Sequence, residues 1–311
     1  MQDYEYMLAA YEEAGGNSSV FKDSKIAHLV VHKNKVIGRH LVSGLILEPE
    51  ETGSGVNINL KIEKGVKIEN PVHLCFGVLP SEGSQEINIK ARIEDGAGVK
   101  LLAHCVFPNA VKVKHQMIAE IEVGDNASYE YNEVHYHGET GGIEVVPRAK
   151  VSVGRNSSFS TNFYLLRGRV GLFDLDYEVH IQEGSNLSMI TKIYGYGDDR
   201  IRIREAGWLE GERARGLIKS RIAVRDRAIS EIVNELTAAA AEARGHVDCL
   251  EIIQGKAQAK AIPIVNVTHE LARVTHEAAI GRVDKKQIQT LMARGLKEEE
   301  AIDLVVKGIL K

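Results

Sequence analysis

Lys-Ile-Glu-Lys-Gly (61–65), Arg-Ile-Glu-Asp-Gly (92–96), Glu-Ile-Glu-Val-Gly (120–124), Lys-Val-Ser-Val-Gly (150–154), His-Ile-Gln-Glu-Gly (180–184) and Gly-Trp-Leu-Glu-Gly (207–211) are variants of one phrase. Their glycines fall 31, 28, 30, 30 and 27 residues apart. Each phrase closes a run of alternating apolar and polar residues, as in Val-Asn-Ile-Asn-Leu-Lys-Ile-Glu (56–63), and a period of two marks a strand with one buried face. A quasi-period near thirty made of strands, with few long helical segments between them, predicts a solenoid whose turns stack into parallel sheets. Glycine suits the corners, where a coil turns sharply through backbone conformations that cost other residues more. At ~4.8 Å per coil, roughly seven coils make a rod ~30–35 Å long. Its ends expose unpaired strands that need capping or pairing. A β-sandwich with recurring hairpins is the alternative reading of the same pattern.

Outside the stretch 26–267 the pattern changes. Residues 1–14 are acidic and aromatic at helix-compatible spacing, and Gly15-Gly16-Asn17 ends them, which gives an N-terminal helical arm over 1–25. Near the other end Asp284 caps a helix that runs to about Ala293, and Gly295 stops it. Glu298-Glu299-Glu300 then opens a second helix with Ala301, Ile302, Leu304, Val305 and Val306 at apolar spacing. The expected division is a helical arm (1–25), a β-solenoid core (26–267) and a C-terminal helical segment (268–311). Helices at both ends are available to cap the rod.

Composition narrows the function classes. The chain has 311 residues, 44% hydrophobic and 26% charged, with a formal net charge of −4, so neither disorder nor a polyanionic partner is indicated. Arg200-Ile-Arg-Ile-Arg204 is the strongest basic cluster, but Asp198, Asp199 and Glu205 offset it and no aromatics interleave for nucleic acid. The three cysteines, Cys75, Cys105 and Cys249, are odd in number and widely spaced, which argues against a disulfide framework and for the cytoplasm. No basic region followed by an apolar run opens the chain, and no stretch has the ~20 apolar residues that span a bilayer. A Gly-rich Lys-Ser/Thr phosphate loop is absent, so any ATPase belongs to a partner. The pairs His269-Glu270 and His276-Glu277 do not make a zinc-protease motif, because Arg273 stands where the second histidine is required.

Chemistry-bearing residues concentrate near the end. Gly-His-Val-Asp-Cys (245–249) is followed, 28 residues after Cys249, by Glu277 inside Thr-His-Glu-Ala (275–278). A thiolate is a nucleophile and a soft ligand, a carboxylate is a hard and displaceable one, and the neutral imidazole of His276 ligates or shuttles a proton. The bland alternatives are a buried small hydrophobe for Cys249, a solvated carboxylate for Glu277 and a carbonyl-bonded ring for His276. Cys75 and Cys105 lie in apolar runs and read as core. His135, His137 and Glu139 alternate on one strand face, a pattern that fits a metal or simply a polar face.

Four stretches in order, Gly-His-Val-Asp-Cys-Leu-Glu-Ile-Ile-Gln-Gly (245–255), Ala-Ile-Pro-Ile (261–264), Val-Thr-His-Glu-Ala-Ala-Ile-Gly-Arg-Val (274–283) and Leu-Met-Ala-Arg-Gly-Leu-Lys-Glu-Glu-Glu-Ala (291–301), resemble the SufB/SufD family of iron-sulfur cluster assembly subunits. The resemblance implies a right-handed parallel β-helix flanked by helices, paired with a second copy or a SufD-like paralogue. It further implies a SufC-like ABC ATPase docked on the C-terminal helices, together with sulfur donor and cluster acceptor proteins. Cys249, Glu277 and His276 fall at the SufB positions that hold iron and the transient Fe-S cluster. The spacing from Gly255 to Pro263 is one residue shorter than in the family, and the cysteine of SufB proposed to receive sulfur has no clear counterpart. A structural SufD-like partner without its own cluster site, or a carbohydrate-active β-helix enzyme, are the other readings. The second would need a groove of aromatics and paired carboxylates, and aromatic residues are only 5% of the chain.

Overall fold

The alternation becomes strand directly. In the computed structural model, which describes residues 2–310, the strand Glu82–Ile93 buries Gln85, Ile87, Ile89, Ala91 and Ile93 while the residues between them face out. The chain is mainly β, and from Gly55–Ile62 onward consecutive strands alternate between a nine-stranded and a ten-stranded sheet. Each pair of strands makes one turn of a β-solenoid of about eight turns. Neighbouring coils pair in parallel, Gly55 with Glu86, Glu82 with Lys112, Val113 with Ile143, Leu172 with Arg200 and Ile229 with Gln258. Parallel pairing replaces the hairpins that a β-sandwich would need. Valine, isoleucine, leucine and phenylalanine from both sheets fill the interior as one continuous core.

The repeated glycines occupy two different positions. Gly65, Gly96 and Gly184 sit at the corner itself with φ of 71°, 70° and 66°, in the left-handed region. The same corner is filled by Asn126, Asn156, Arg213 and Glu242 in other coils, all at positive φ. Gly124, Gly154 and Gly211 stand two residues earlier, against the preceding coil. A Cβ on Gly211 would lie 1.9 Å from Glu183 N. Glycine spacing in the sequence mixes the two positions, which explains its scatter, and non-glycine corners late in the chain hide one coil from a count of about seven.

Helices cover a face rather than the rod ends. Helix α1 (Gln2–Glu13) sets Met7, Ala10 and Tyr11 against Val30, Cys75 and Val106 on the outer side of the ten-stranded sheet. Helices α2 (Lys285–Met292) and α3 (Glu298–Leu310) pack on the same sheet further along, with Ile288, Ala301, Val306 and Leu310 against Tyr194, Ala223 and Ile252. Tyr194 donates to Asp303 Oδ1 at 2.6 Å, pinning α3 to the sheet. At the N-terminal end the chain folds back, so that Lys35–His40 and Leu45–Glu51 pair antiparallel to the first strands. Leu45 and Leu47 close the core there, and Glu48, Pro49, Glu50 and Glu51 blunt the edge. The strand Arg273–Gly281 carries the solenoid to Gly281, past position 267, and the helical part begins only at Lys285. Nothing in the described chain caps that end.

Candidate functional site at the open end of the solenoid

Cys249 lies on Arg244–Ile253, in the coil before the last. Strand alternation sends Val247, Cys249 and Glu251 inward and His246, Asp248 and Leu250 outward. The thiol is 2% exposed, with Ser220 beside it on the preceding coil and Ala278 on the last one. Behind it the interior turns polar. Thr191 and Ser220 from one sheet face Glu205 and Asn234 from the other, and all four are buried. Thr191 Oγ1 donates to Glu205 Oε1 at 2.7 Å. The Asn234 amide satisfies its neighbours when Oδ1 accepts from Ser220 Oγ at 2.6 Å and Nδ2 donates to Glu205 Oε2 at 3.3 Å. One residue pair nearer the corner, Ser230 Oγ donates to Glu251 Oε2 at 2.6 Å.

Burial dominates the electrostatics of this pocket. It pushes the Glu205 carboxyl up to about 7 and that of Glu251 up to about 6. Burial likewise pushes the Cys249 thiol up to about 11, and the carboxylates of Glu205, Glu251 and Asp248 add to the effect. In a covered site Cys249 is therefore a neutral thiol. A cation that displaced its proton would turn it into a thiolate ligand.

His276 and Glu277 belong to Arg273–Gly281, the terminal strand of the ten-stranded sheet. His276 is in register with Val247, which places it on the inward side with Cys249; Glu277 is in register with Asp248, on the outer side. Both side chains are exposed, and among the described residues neither forms a hydrogen bond or ion pair. Asp248 is already engaged: Arg221 grips both its oxygens, one at 2.9 Å, and holds its carboxyl below the ordinary range. Cys249, His276 and Glu277 do not converge on one point within a single chain. Among the described residues the last two strands have no strand neighbour beyond them, and Val267, Leu271 and Ile280 are 49%, 58% and 48% exposed.

The buried polar companions Glu205, Ser220, Asn234 and Glu251 escape motif reading. Their signal is a polar letter at an inward position of an alternating strand; Glu205 follows Ile201 and Ile203 on the inward side of Arg200–Leu209. The His135, His137 and Glu139 triplet divides. Both histidines are buried in the interior, whereas Glu139 accepts a hydrogen bond from Tyr196 at 2.7 Å.

Over residues 81–309 the sequence matches the family described as SUF system FeS cluster assembly, SufBD core domain. It is 37% identical over 294 residues to an iron-sulfur cluster assembly SufBD family protein of Methanocaldococcus jannaschii, covering 93% of each chain. A SufBD family protein of Pyrococcus horikoshii is 33% identical over 310 residues, 100% of this chain and 94% of that one. The iron-sulfur cluster assembly protein SufB of Bacillus subtilis is 31% identical over 70 residues, 22% of this chain and 15% of that protein.

Proposed function

This chain belongs to the SufBD family of iron-sulfur cluster assembly proteins, and on that footing we propose that it is a cytoplasmic, non-enzymatic scaffold on which iron and sulfide are assembled as cargo. The observation that carries the reading is the position of Cys249, one coil from an open end whose last strand bears His276 and Glu277. A second copy stacked on that end, or a SufD-like paralogue, pairs the free strand edges and buries Leu271 and Ile280. Two half-sites then face each other, and ligands that one chain leaves apart are supplied from both. Cys249 provides the thiolate, Glu277 an oxygen that releases its iron readily, and His276 a ring nitrogen. Energy comes from a SufC-like ABC ATPase docked on α2 and α3, whose outer sides leave Met292, Leu304 and Ile309 exposed. Its ATP cycle shifts the two scaffolds and opens the covered thiol to iron and to a sulfur donor, and acceptor proteins take the finished cluster.

Anaerobic reconstitution with iron and sulfide tests the assignment. The wild type is expected to develop sulfide-to-iron absorption and a cluster Mössbauer signature, while Cys249→Ala and Glu277→Ala lose most of both. Unchanged spectra in the two variants would refute the assignment and favour a purely structural subunit.

A further inference from the structure

A second cluster of ligating side chains lies deep inside the rod, away from the open end. Cys105 on Gly98–Phe107 is in parallel register with His135 on Ser128–His137. Glu133 precedes His135 by two residues and so shares its inward face, and His115 on Lys112–Val123 reaches in from the opposite sheet. One potential ligand atom from each of Cys105, His115, Glu133 and His135 lies within 4.8 Å of all the others. All four side chains are buried, at 0%, 1%, 2% and 2% exposure.

Their hydrogen bonding is incomplete. Cys105 Sγ is 3.3 Å and His135 Nε2 is 2.8 Å from the same oxygen, Glu133 Oε1. Among the described residues Glu133 Oε2 has no hydrogen-bond partner, and neither Nδ1 nor Nε2 of His115 has one. A buried imidazole with both nitrogens unpartnered is rare in a folded interior, and here it belongs to a four-residue cluster that also holds an unpartnered carboxylate oxygen. Phe107 and Phe163 pack on the cluster, with ring centroids 4.9 Å from His115 and 4.8 Å from His135.

We propose that Cys105, His115, Glu133 and His135 hold one resident divalent cation of borderline softness, zinc(II) or iron(II), in a closed four-ligand site. The donor set of one sulfur, two nitrogens and one oxygen fits a tetrahedral ion, whose ligand atoms stand roughly 3.3–3.6 Å apart, so only small side-chain rotations close the present arrangement. Charge balances as well. One thiolate and one carboxylate neutralise a doubly charged ion, which a fully buried, aromatic-walled site requires. Loading releases the thiol proton, and the carboxyl proton where it is present, to solvent as the Sγ–metal and Oε–metal bonds form, with no change of oxidation state. His137 orients the ligand: its Nε2 lies 3.0 Å from His135 Nδ1, so a proton on that Nδ1 donates to His137 and leaves His135 Nε2 free for the metal. With solenoid on both sides, the ion is structural and is not exchanged with cargo.

The test uses the full chain carrying Cys249→Ala, so that its outcome is independent of the cluster site proposed above. Protein produced in medium containing zinc and iron, then washed with chelator, is expected to retain about one zinc or iron per chain. X-ray absorption at the edge of that metal is expected to show one sulfur at about 2.3 Å and nitrogen or oxygen ligands at about 2.0–2.2 Å, with no metal–metal scattering. Cys105→Ser removes the sulfur shell, and His115→Gln lowers the metal content several-fold. Less than roughly a tenth of a metal per folded chain, a metal–metal distance typical of a cluster, or an unaltered sulfur shell in Cys105→Ser each overturns the proposal. Should either variant fail to fold, the metal content and sulfur shell of the Cys249→Ala chain decide alone.

Discussion

Glu205 offers the sharpest test of the pocket behind Cys249. Its carboxyl has a pKa of about 7 in the folded chain against an ordinary value of 4.5, chiefly through burial. The folded state thus holds this proton more tightly than the unfolded chain does. Stability from this group is complete below pH 4.5 and is lost as pH rises through 7. At 1.36 kcal/mol per pKa unit, ionised Glu205 opposes folding by ~3 kcal/mol above pH 7. Glutamine reproduces the shape of the neutral acid and keeps an oxygen to accept from Thr191. Glu205→Gln is therefore expected to match the wild type near pH 4.5 and to exceed it by ~3 kcal/mol at pH 8. Glu251, raised to about 6, adds a loss of the same sign of ~2 kcal/mol in both proteins, so the difference between the curves isolates Glu205. Urea unfolding followed by circular dichroism from pH 4.5 to 8, with thiols kept reduced, measures it. A second readout follows the thiol: removing the Glu205 charge lowers the Cys249 pKa, so alkylation at alkaline pH speeds up. Parallel stability curves together with unchanged alkylation would refute the reasoning.

The two kinds of corner glycine are expected to respond differently to one added methyl group. At Gly65 nothing lies within 4 Å of a new Cβ and only the positive φ is strained, so Gly65→Ala costs ~1 kcal/mol. At Gly211 the Cβ meets the backbone of the preceding coil at Glu183 N and Gln182 C, and Gly211→Ala costs ~2–3 kcal/mol; equal melting shifts would contradict the distinction. Pairing through the open end predicts that Ile280→Glu, which charges an apolar side chain 48% exposed there, lowers the solution mass from twice the 34.2 kDa chain to that of one chain. Light scattering after size exclusion reads this directly, and a dimeric variant would move the interface elsewhere.

Much of the fold is legible in the chain because a solenoid repeats a local rule. Alternation fixes strand and face, and the recurrence of Gly65, Gly96 and Gly184 fixes the coil. The rule weakens where other residues meet the same backbone demand: Arg213 and Glu242 adopt positive φ although neither type favours it, so the late coils are under-counted. Helix positions at the ends of the sequence gave no guide to where those helices pack. Apolar stripes such as Met7, Ala10 and Tyr11 announce that a face is buried, but not against which surface, and here it is the side of a sheet. For the candidate site, Cys249, His276 and Glu277 stand out by residue type and by family resemblance, whereas Glu205 and Asn234 acquire meaning only when two facing strands bring them together.

Cys105 and Cys249 show how place in the stack decides chemistry. Both point inward from the ten-stranded sheet, both are almost wholly buried, and both have a polar side chain in contact with sulfur. Their register neighbours differ. Cys105 lies between Phe76 and His135, with complete coils on either side, so an ion bound there has ligands from one chain and no exit short of unfolding. Cys249 lies between Ser220 and Ala278, and beyond Ala278 there is only an exposed strand edge. A thiol in that position has too few ligands in its own chain to retain a metal. On the scaffold role proposed above, it would share one with a partner and release it when the partner moves, which is what assembling a cluster for delivery requires.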